Sequence, residues 1–158
     1  MTQNIRIRQA NPKEASVLTE LAVASEAYWG ENEAYMNHFR EDYCVTERFI
    51  SMNPTYVMET TENIIGFYSV VQESAQAELE YFYVKVSEIG KGYGKMLWHE
   101  LIRTCIDLGI SRLEFVTSPE AIVFYEHMGA VKVDEVESVL RKGRLIPKLE
   151  YIIESSRR

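Results

Sequence analysis

Cysteine and histidine are both scarce in this chain. Its 158 residues include two cysteines, Cys44 and Cys105, and three histidines. Two cysteines are too few for a disulfide framework, and no cluster of cysteine and histidine has the spacing of a metal site. The sequence therefore predicts a protein that binds no metal and whose stability depends on a hydrophobic core.

Long apolar runs and an excess of basic residues are lacking as well. Residues 1–8 contain no hydrophobic signal region, and no apolar run reaches the length of a membrane span. We therefore expect a cytoplasmic protein with no membrane partner. Lysine and arginine number 17 against 24 acidic residues, which gives a net charge of -7. Because such a surface repels phosphates, we expect no nucleic-acid partner; it weakly favours cationic acceptors such as amines.

Strand and helix patterns alternate along the whole chain. Apolar residues make up 46% of it, and the length suits one domain with a substantial core. Helical patterns begin at Asn11 and span residues 31–51, 96–108 and 118–129. Strand patterns fall at residues 5–8, 54–59, 64–72, 79–86, 112–117, 130–136 and 148–153. This order predicts a single α/β domain with a mixed sheet.

A glycine-rich turn joins one of these strands to the following helix. It lies between residues 79–86 and 96–108 and reads Gly90-Lys91-Gly92-Tyr93-Gly94-Lys95. Glycine lets the backbone approach a ligand closely, and the first amides of a helix have no partner inside the helix. Together with the helix dipole and two lysines, these amides predict a cradle for a phosphate or pyrophosphate.

The spacing of the glycines separates this turn from two common phosphate motifs. The last glycine of a dinucleotide fingerprint would fall on Lys95, and no run fits a P-loop. By itself the pattern is a weak signal, and a strand-to-helix turn without any ligand is the alternative. A generic nucleotide-phosphate binder is disfavoured because no adenine or ribose signature accompanies the turn.

With this turn in place, the chain resembles the GNAT superfamily of N-acetyltransferases over nearly its whole length. Residues 84–95 are similar to the family's pyrophosphate-binding signature, residues 121–130 to its late-helix motif, and residues 6–10 to its first strand. Two departures stand out. Ile89 occupies a place that is usually Gln or Arg, and Ser118 occupies one that is often Asn.

The resemblance implies acetyl-CoA as donor substrate and an amine of a small molecule or protein as acceptor. It also implies that the amine attacks the thioester directly in a ternary complex. It implies a mixed, mostly antiparallel sheet flanked by helices across residues 1–158. The implied donor contacts are backbone amides of Phe82, Tyr83 and Val84, together with residues 90–95. Ser118 either touches the cofactor or caps the helix before Pro119. The oligomeric state is left open, with a homodimer as one alternative.

Two residues are the leading candidates for proton transfer. Tyr125 matches the family tyrosine near the CoA sulfur and is the candidate general acid; packing of its ring in the core is the alternative. Glu80 is the candidate base, because strand alternation would place it on one face with Phe82 and Val84. Glu78 is its rival, a solvated carboxylate is the alternative for both, and Glu114 is expected on the wrong face.

The first helices are expected to form the acceptor pocket. Tyr28 and Trp29, with His38 and Tyr43 nearby, would give an aromatic site suited to an amine through cation–π contact. Plain packing is the alternative for each of them. For the whole chain, the alternative to an enzyme is a non-catalytic acyl-CoA-binding or sensor module of the same fold.

Overall fold

The computed structural model describes residues 4–28, 33–42, 44–138 and 143–153. These residues form the strands β1 (Arg6–Gln9), β2 (Thr55–Glu59), β3 (Ile64–Glu73), β4 (Gln76–Val84), β5 (Arg112–Val116), β6 (Val131–Glu137) and β7 (Leu145–Ile152). They also form the helices α1 (Ala15–Tyr28), α2 (Glu33–Asp42), α3 (Glu47–Met52), α4 (Tyr93–Asp107) and α5 (Ile122–His127). None of the helices in these residues has the length and apolar character needed to cross a membrane.

One mixed sheet contains the seven strands in the order β1-β2-β3-β4-β5-β7-β6. Neighbouring strands run antiparallel except for β4 and β5, which run parallel. Two layers of side chains cover its faces. Leu97, Trp98 and Leu101 of α4 pack on one face, and Leu18 and Ala22 of α1 pack on the other. We call these faces the α4 side and the α1 side.

The first helix begins as the sequence predicts. Asn11 caps a short 3-10 turn, Pro12–Glu14, that leads into α1. The Asn11 side chain accepts from the Lys13 amide at 2.9 Å, and Glu14 accepts from the Asn11 amide at 2.8 Å. This reciprocal capping box satisfies two amides that a helix start leaves unpaired. It fixes the direction in which α1 leaves β1 and crosses the sheet.

The two parallel strands separate soon after they meet. Their register joins Gln76 to Arg112 and ends at Glu78 opposite Glu114. Beyond this point β4 continues through residues 79–84 with β3 as its strand neighbour. A strand paired on one edge leaves alternate amides and carbonyls on its other edge without a ladder partner. The separation therefore opens a cleft lined by backbone hydrogen-bonding groups.

A bulge in β4 lies beside this cleft. Tyr81 pairs with Ser69, whereas Leu79 pairs with Val70, so Glu80 has no residue opposite it on β3. The extra residue changes the phase of the side-chain alternation. Leu79 and Phe82, three residues apart, consequently pack into the same core on the α4 side.

Candidate functional site

A cavity of about 800 Å³ occupies the cleft between β4 and β5. Its lining residues come from the glycine turn and the start of α4, from α5, from the last turn of α1 and from the hairpin of β6 and β7. The cavity therefore passes through the gap in the sheet and connects its two faces.

The glycine turn has a geometry suited to an anion. Gly90 and Gly92 have φ values of 88° and 85°, in the left-handed region that favours glycine. A Cβ atom built on either residue would meet no atom within 4 Å. Gly92 precedes the first residue of α4 and provides no side-chain cap for that helix. The open space and the uncapped amides together fit a phosphate group.

The next residues of the turn have different surroundings. A Cβ atom on Gly94 would lie 3.2 Å from Cε1 of Phe124, so this position requires close packing against α5. Lys95 lines the cavity, whereas Tyr93 packs against the core on the α4 side. The Lys91 ammonium lies 3.3 Å from Glu88 Oε1. Glu88 lines the cavity, and a phosphate contact by Lys91 stays a prediction.

The three predicted donor contacts on β4 all line the cavity. The ring of Phe82 packs on the α4 side, 5.9 Å from the ring of Tyr125. The Tyr83 hydroxyl donates to Glu26 Oε2 at 3.1 Å, and the Val84 carbonyl accepts from the Ser25 hydroxyl at 3.2 Å. These bonds fix the end of β4 to α1 and hold that wall of the cavity in place.

Tyr125 lines the cavity from α5 and is 8% exposed. Its ring contacts Phe115, with 4.8 Å between centroids, and Phe124 at 5.2 Å. Within the described residues its hydroxyl has no hydrogen-bond partner. Burial, followed by the negative charge of Glu26, raises the pKa of Tyr125 above its ordinary value. The phenol therefore stays protonated at neutral pH and is available as a proton donor.

Glu80 also lines the cavity and is half-buried. Burial raises the pKa of Glu80, and the nearby charge of Glu78 raises it further. The expectation that Glu80 shares a face with Phe82 and Val84 is wrong. The bulge shifts the alternation of side chains by one residue, so that Leu79, rather than Glu80, shares a face with Phe82. The role of Glu80 as a base stays a prediction. It now rests on the position of Glu80 in the cavity wall rather than on a strand face shared with Phe82 and Val84.

Glu114 is placed differently from its prediction. It stands in register with Glu78 on the neighbouring strand and lines the same cavity, so the expectation of a wrong face is wrong. Residues paired directly across two strands point to the same side of a sheet. The Glu114 carboxylate is ion-paired with Arg112 and lies 3.8 Å from the Lys148 ammonium.

Ser118 lines the cavity just before the turn that leads into α5. Its hydroxyl accepts from the Ala121 amide at 3.3 Å, and its carbonyl accepts from the same amide at 3.1 Å. The bond to the hydroxyl is the one that the expected capping role requires, although the turn that it closes precedes α5, which begins at Ile122. A contact of Ser118 with the donor stays a prediction.

The predicted aromatic acceptor residues are only partly described. Tyr28 ends α1 with 53% of its surface exposed, and it is not one of the described residues that line the cavity. Trp29 and Tyr43 lie outside the described residues, as does the side chain of His38. Their roles stay predictions.

Glu26 was missed by the sequence analysis. It lines the cavity from the last turn of α1, where its carboxylate accepts from Tyr83 and its charge reaches Tyr125. A signal was present, because Leu18, Ala22 and Glu26 follow one another at four-residue spacing along the buried stripe of α1. In the described part of the chain, no group of three or more His, Cys, Asp or Glu residues is placed to hold a metal ion.

A comparison of the chain with models of known protein families identifies its family. The model of the acetyltransferase (GNAT) family matches residues 17–130, which include β4, the glycine turn and Tyr125. The chain therefore belongs to the GNAT family of acetyltransferases. No curated protein gives a significant match to the chain.

Solved structures share this fold. The PaiA N-acetyltransferase of Thermoplasma acidophilum, in complex with coenzyme A, has a TM-score of 0.79 and 19% identity over 94% of this chain and 99% of its own. A GNAT acetyltransferase of Streptococcus pneumoniae has a TM-score of 0.69 and 17% identity over 96% and 100%. The N-acetylglutamate synthase of Neisseria gonorrhoeae, complexed with coenzyme A and N-acetyl-glutamate, has a TM-score of 0.70 and 20% identity over 98% and 36%.

Proposed function

We propose that this chain, as one domain over residues 1–158, transfers an acetyl group from acetyl-CoA to an amine of a small molecule or protein. The observation that carries this proposal is the cavity through the gap between β4 and β5. It joins the anion cradle at Gly92 to a buried phenol, Tyr125, and a half-buried carboxylate, Glu80. A donor with phosphates at one end and a reactive group at the other fits such a path.

Groups suited to binding the donor lie along the cavity. The amides at the start of α4 and the Lys95 ammonium are suited to the pyrophosphate, and the open edge of β4 is suited to the amide groups of the pantetheine arm. When bound, acetyl-CoA supplies an activated thioester. Two structural neighbours were solved with coenzyme A, which supports this choice of donor.

The proposed reaction is a direct transfer with two proton movements. The amine nitrogen forms a bond to the acetyl carbon as the carbon–sulfur bond breaks. Glu80 accepts the proton that the amine loses, directly or through a water molecule, and Tyr125 donates a proton to the departing sulfur. Amides on the open edge of β4 stabilise the negative charge on the carbonyl oxygen in the transition state.

Thiol release from acetyl-CoA, measured against a panel of amines, tests the proposal. An amine-dependent release with an equal amount of acetylated product supports it. Stabilisation by acetyl-CoA without transfer to any amine would instead favour the non-catalytic acyl-CoA-binding module. The double variant Tyr125→Phe with Glu80→Gln is the matched control, because it keeps both side-chain volumes and removes the two proton-transfer groups.

A further inference from the structure

A carboxylate lies in the part of the cavity wall where an anion is expected to bind. Glu88 ends the short 3-10 turn Val86–Glu88 that leads from β4 into the glycine turn, and it lines the cavity together with Gly90, Gly92 and Lys95. A negative side chain beside a phosphate cradle opposes the binding that the amides of the cradle favour. The position of Glu88 therefore needs a reason other than tight binding of the donor.

The Glu88 carboxylate is held in place through both of its oxygens. The Oε1 atom accepts from the Lys91 ammonium at 3.3 Å, and the Oε2 atom accepts from the Ser87 hydroxyl at 3.4 Å. The Glu88 amide donates to the Lys85 carbonyl at 2.8 Å, which fixes the backbone of the 3-10 turn. The side chain is only 19% exposed, so the carboxylate is a fixed part of the cavity wall.

Lys91 is placed differently from the other lysine of the glycine turn. Its side chain is 55% exposed and is not one of the described residues that line the cavity, whereas Lys95 does line it. Ile89, where the family signature usually has Gln or Arg, is apolar and adds no donor for a phosphate. The ammonium of Lys91 is thus directed to Glu88, and Glu88 occupies the cavity wall in its place.

This ion pair lowers the affinity for a phosphate whether or not it breaks. If Lys91 stays with Glu88, its charge is already neutralised when a phosphate arrives. If Lys91 moves to the phosphate, Glu88 loses its partner and faces the phosphate as a like charge. A neutral side chain of the same size at position 88 would avoid both losses.

On the donor site of the proposed function, we propose that Glu88 competes with the phosphates of the donor for Lys91 and so lowers the affinity for coenzyme A and its thioesters. The phosphates are remote from the thioester, so the loss is the same for substrate, transition state and product. Glu88 therefore sets donor affinity without taking part in the chemistry. It weakens the binding of coenzyme A as much as that of acetyl-CoA, which favours release of the product after transfer.

Isothermal titration calorimetry with coenzyme A at low salt tests this proposal. Glu88→Gln keeps the side-chain size and removes the charge, so Kd should fall by about fivefold, the effect of one ion pair of modest strength. The difference should shrink in concentrated salt because the charges are partly exposed. Pantetheine, which carries no phosphate, should bind the variant and the wild type equally. Glu62→Gln makes the same change in net charge at an exposed turn and should leave Kd unchanged.

A double-mutant cycle separates competition from the alternative that Glu88 positions Lys91 for the phosphates. Competition predicts that Lys91→Met raises Kd by about twofold at most in the wild type and by about fivefold in the Glu88→Gln background. Positioning predicts the reverse, because Glu88→Gln would then weaken coenzyme A binding and Lys91→Met would matter most in the wild type. Thermal unfolding of each variant establishes that it is folded.

The outcomes distinguish this proposal from the one on which it rests. Glu88→Gln should lower KM for acetyl-CoA and leave the single-turnover rate at saturating donor unchanged. A Kd for coenzyme A that is unchanged or raised in Glu88→Gln, or an equal fall in Kd for pantetheine, would overturn the role of Glu88 and leave acetyl transfer intact. Binding that follows the predicted cycle without transfer to any amine would support the role of Glu88 and overturn acetyl transfer. Absence of coenzyme A binding by the wild type would overturn both proposals.

Discussion

Tyr125 combines the two features required of an internal proton donor. Burial and the charge of Glu26 hold its pKa above the ordinary value, so it is a protonated phenol at neutral pH. Its ring is fixed by Phe82, Phe115 and Phe124, while its hydroxyl bonds to no described residue. The ring packing thus fixes the position of the hydroxyl, and a substitution that keeps the ring can test the proposed chemistry of the hydroxyl separately.

Tyr125→Phe should lower kcat by about a hundredfold or more, because it removes the proton donor and keeps the ring. Since the hydroxyl has no described partner, its removal leaves no group unsatisfied, and the melting temperature and acetyl-CoA affinity should change little. Steady-state kinetics and thermal unfolding measure the two effects. Retention of wild-type kcat by the Phe variant would falsify the acid role and leave Tyr125 as a core residue.

The raised pKa of Glu80 predicts how kcat/KM depends on pH. A base acts in its ionised form, and the pKa of Glu80 is raised, so kcat/KM should increase as the pH rises through that raised value. Glu80→Gln should lower kcat/KM by about a hundredfold and abolish this limb of the profile. Glu78→Gln should instead move the limb to lower pH, because it removes the charge that raises the pKa of Glu80. Identical profiles for all three proteins would contradict the assignment.

At the residue scale, the sequence predicted identities better than orientations. The place of Tyr125 on a late helix was predicted because its motif lies within a helical pattern, and the structure has it in α5. The face of Glu80 was mistaken because the bulge arises from pairing between β3 and β4, which the alternation of residues 79–84 does not reveal. Glu26 was missed because its importance arises from contact with Tyr83, 57 residues away in the chain.

Among the elements, the glycine turn makes the sharpest prediction. Gly92 and Gly109 lie at the two ends of α4 and have φ values of 85° and 76°. A Cβ atom built on either residue would lie in open space. Aspartate at either position carries a similar backbone strain and the same charge. Only Gly92 lines the cavity, so Gly109→Asp is a matched control for Gly92→Asp.

Acetyl-CoA at about a hundred times its Kd should stabilise the wild type by about 2.7 kcal/mol. For a domain of this size that corresponds to a rise in melting temperature of about 5 to 10 °C. Gly92→Asp should abolish the rise because it places a negative side chain where a phosphate would lie, whereas Gly109→Asp should retain it. Differential scanning fluorimetry measures these shifts, and an equal rise in both variants would show that the turn does not bind the donor.

The junction of β1 and β2 predicts how stability depends on pH. Arg8 donates to Glu14 at 2.7 Å and to Glu59 at 3.0 Å, which lowers the pKa of both carboxyl groups. The stability from these pairs is present above the ordinary glutamate pKa and lost as the pH falls through the lowered values. Because the groups are partly exposed, Arg8→Met should cost about 1 to 2 kcal/mol at neutral pH.

Urea denaturation at pH 7 and at about pH 3 measures this loss. At the lower pH the carboxyl groups become protonated, so the difference between wild type and Arg8→Met should shrink. A difference of the same size at both pH values would mean that the contribution of Arg8 is packing rather than charge.

Element boundaries were predicted well where caps or glycines mark them and less well elsewhere. The start of α1 at its capping box and the end of α4 before Gly109 were both predicted. One helical pattern was predicted over residues 31–51, whereas the structure has two helices there, α2 and α3. The last strand begins at Leu145, three residues before the predicted start, and Pro147 lies inside it. The Pro147 carbonyl still accepts from the Thr117 amide at 3.1 Å, so this proline does not end the strand.

For the whole molecule, the position of the cavity depends on a strand pairing that no local pattern contains. The parallel pairing of β4 with β5 ends at Glu78 and Glu114, and the cavity begins where it ends. The order of elements predicted a mixed sheet, and the family resemblance implied an opened strand. The register that sets where the strands separate is a tertiary property, so the sequence alone did not locate the cavity.

Direct acetyl transfer from donor to amine within this cavity would leave no acetyl group on the protein itself. The most direct measurement follows an isotopically heavy acetyl group by mass spectrometry, in the intact protein and in the product, during turnover. Direct transfer predicts heavy acetyl in the amine product in the same amount as the thiol released, with no acetylated protein at any time. Heavy acetyl that accumulates on the protein and then moves to the amine, or thiol released without an acetylated product, would contradict it.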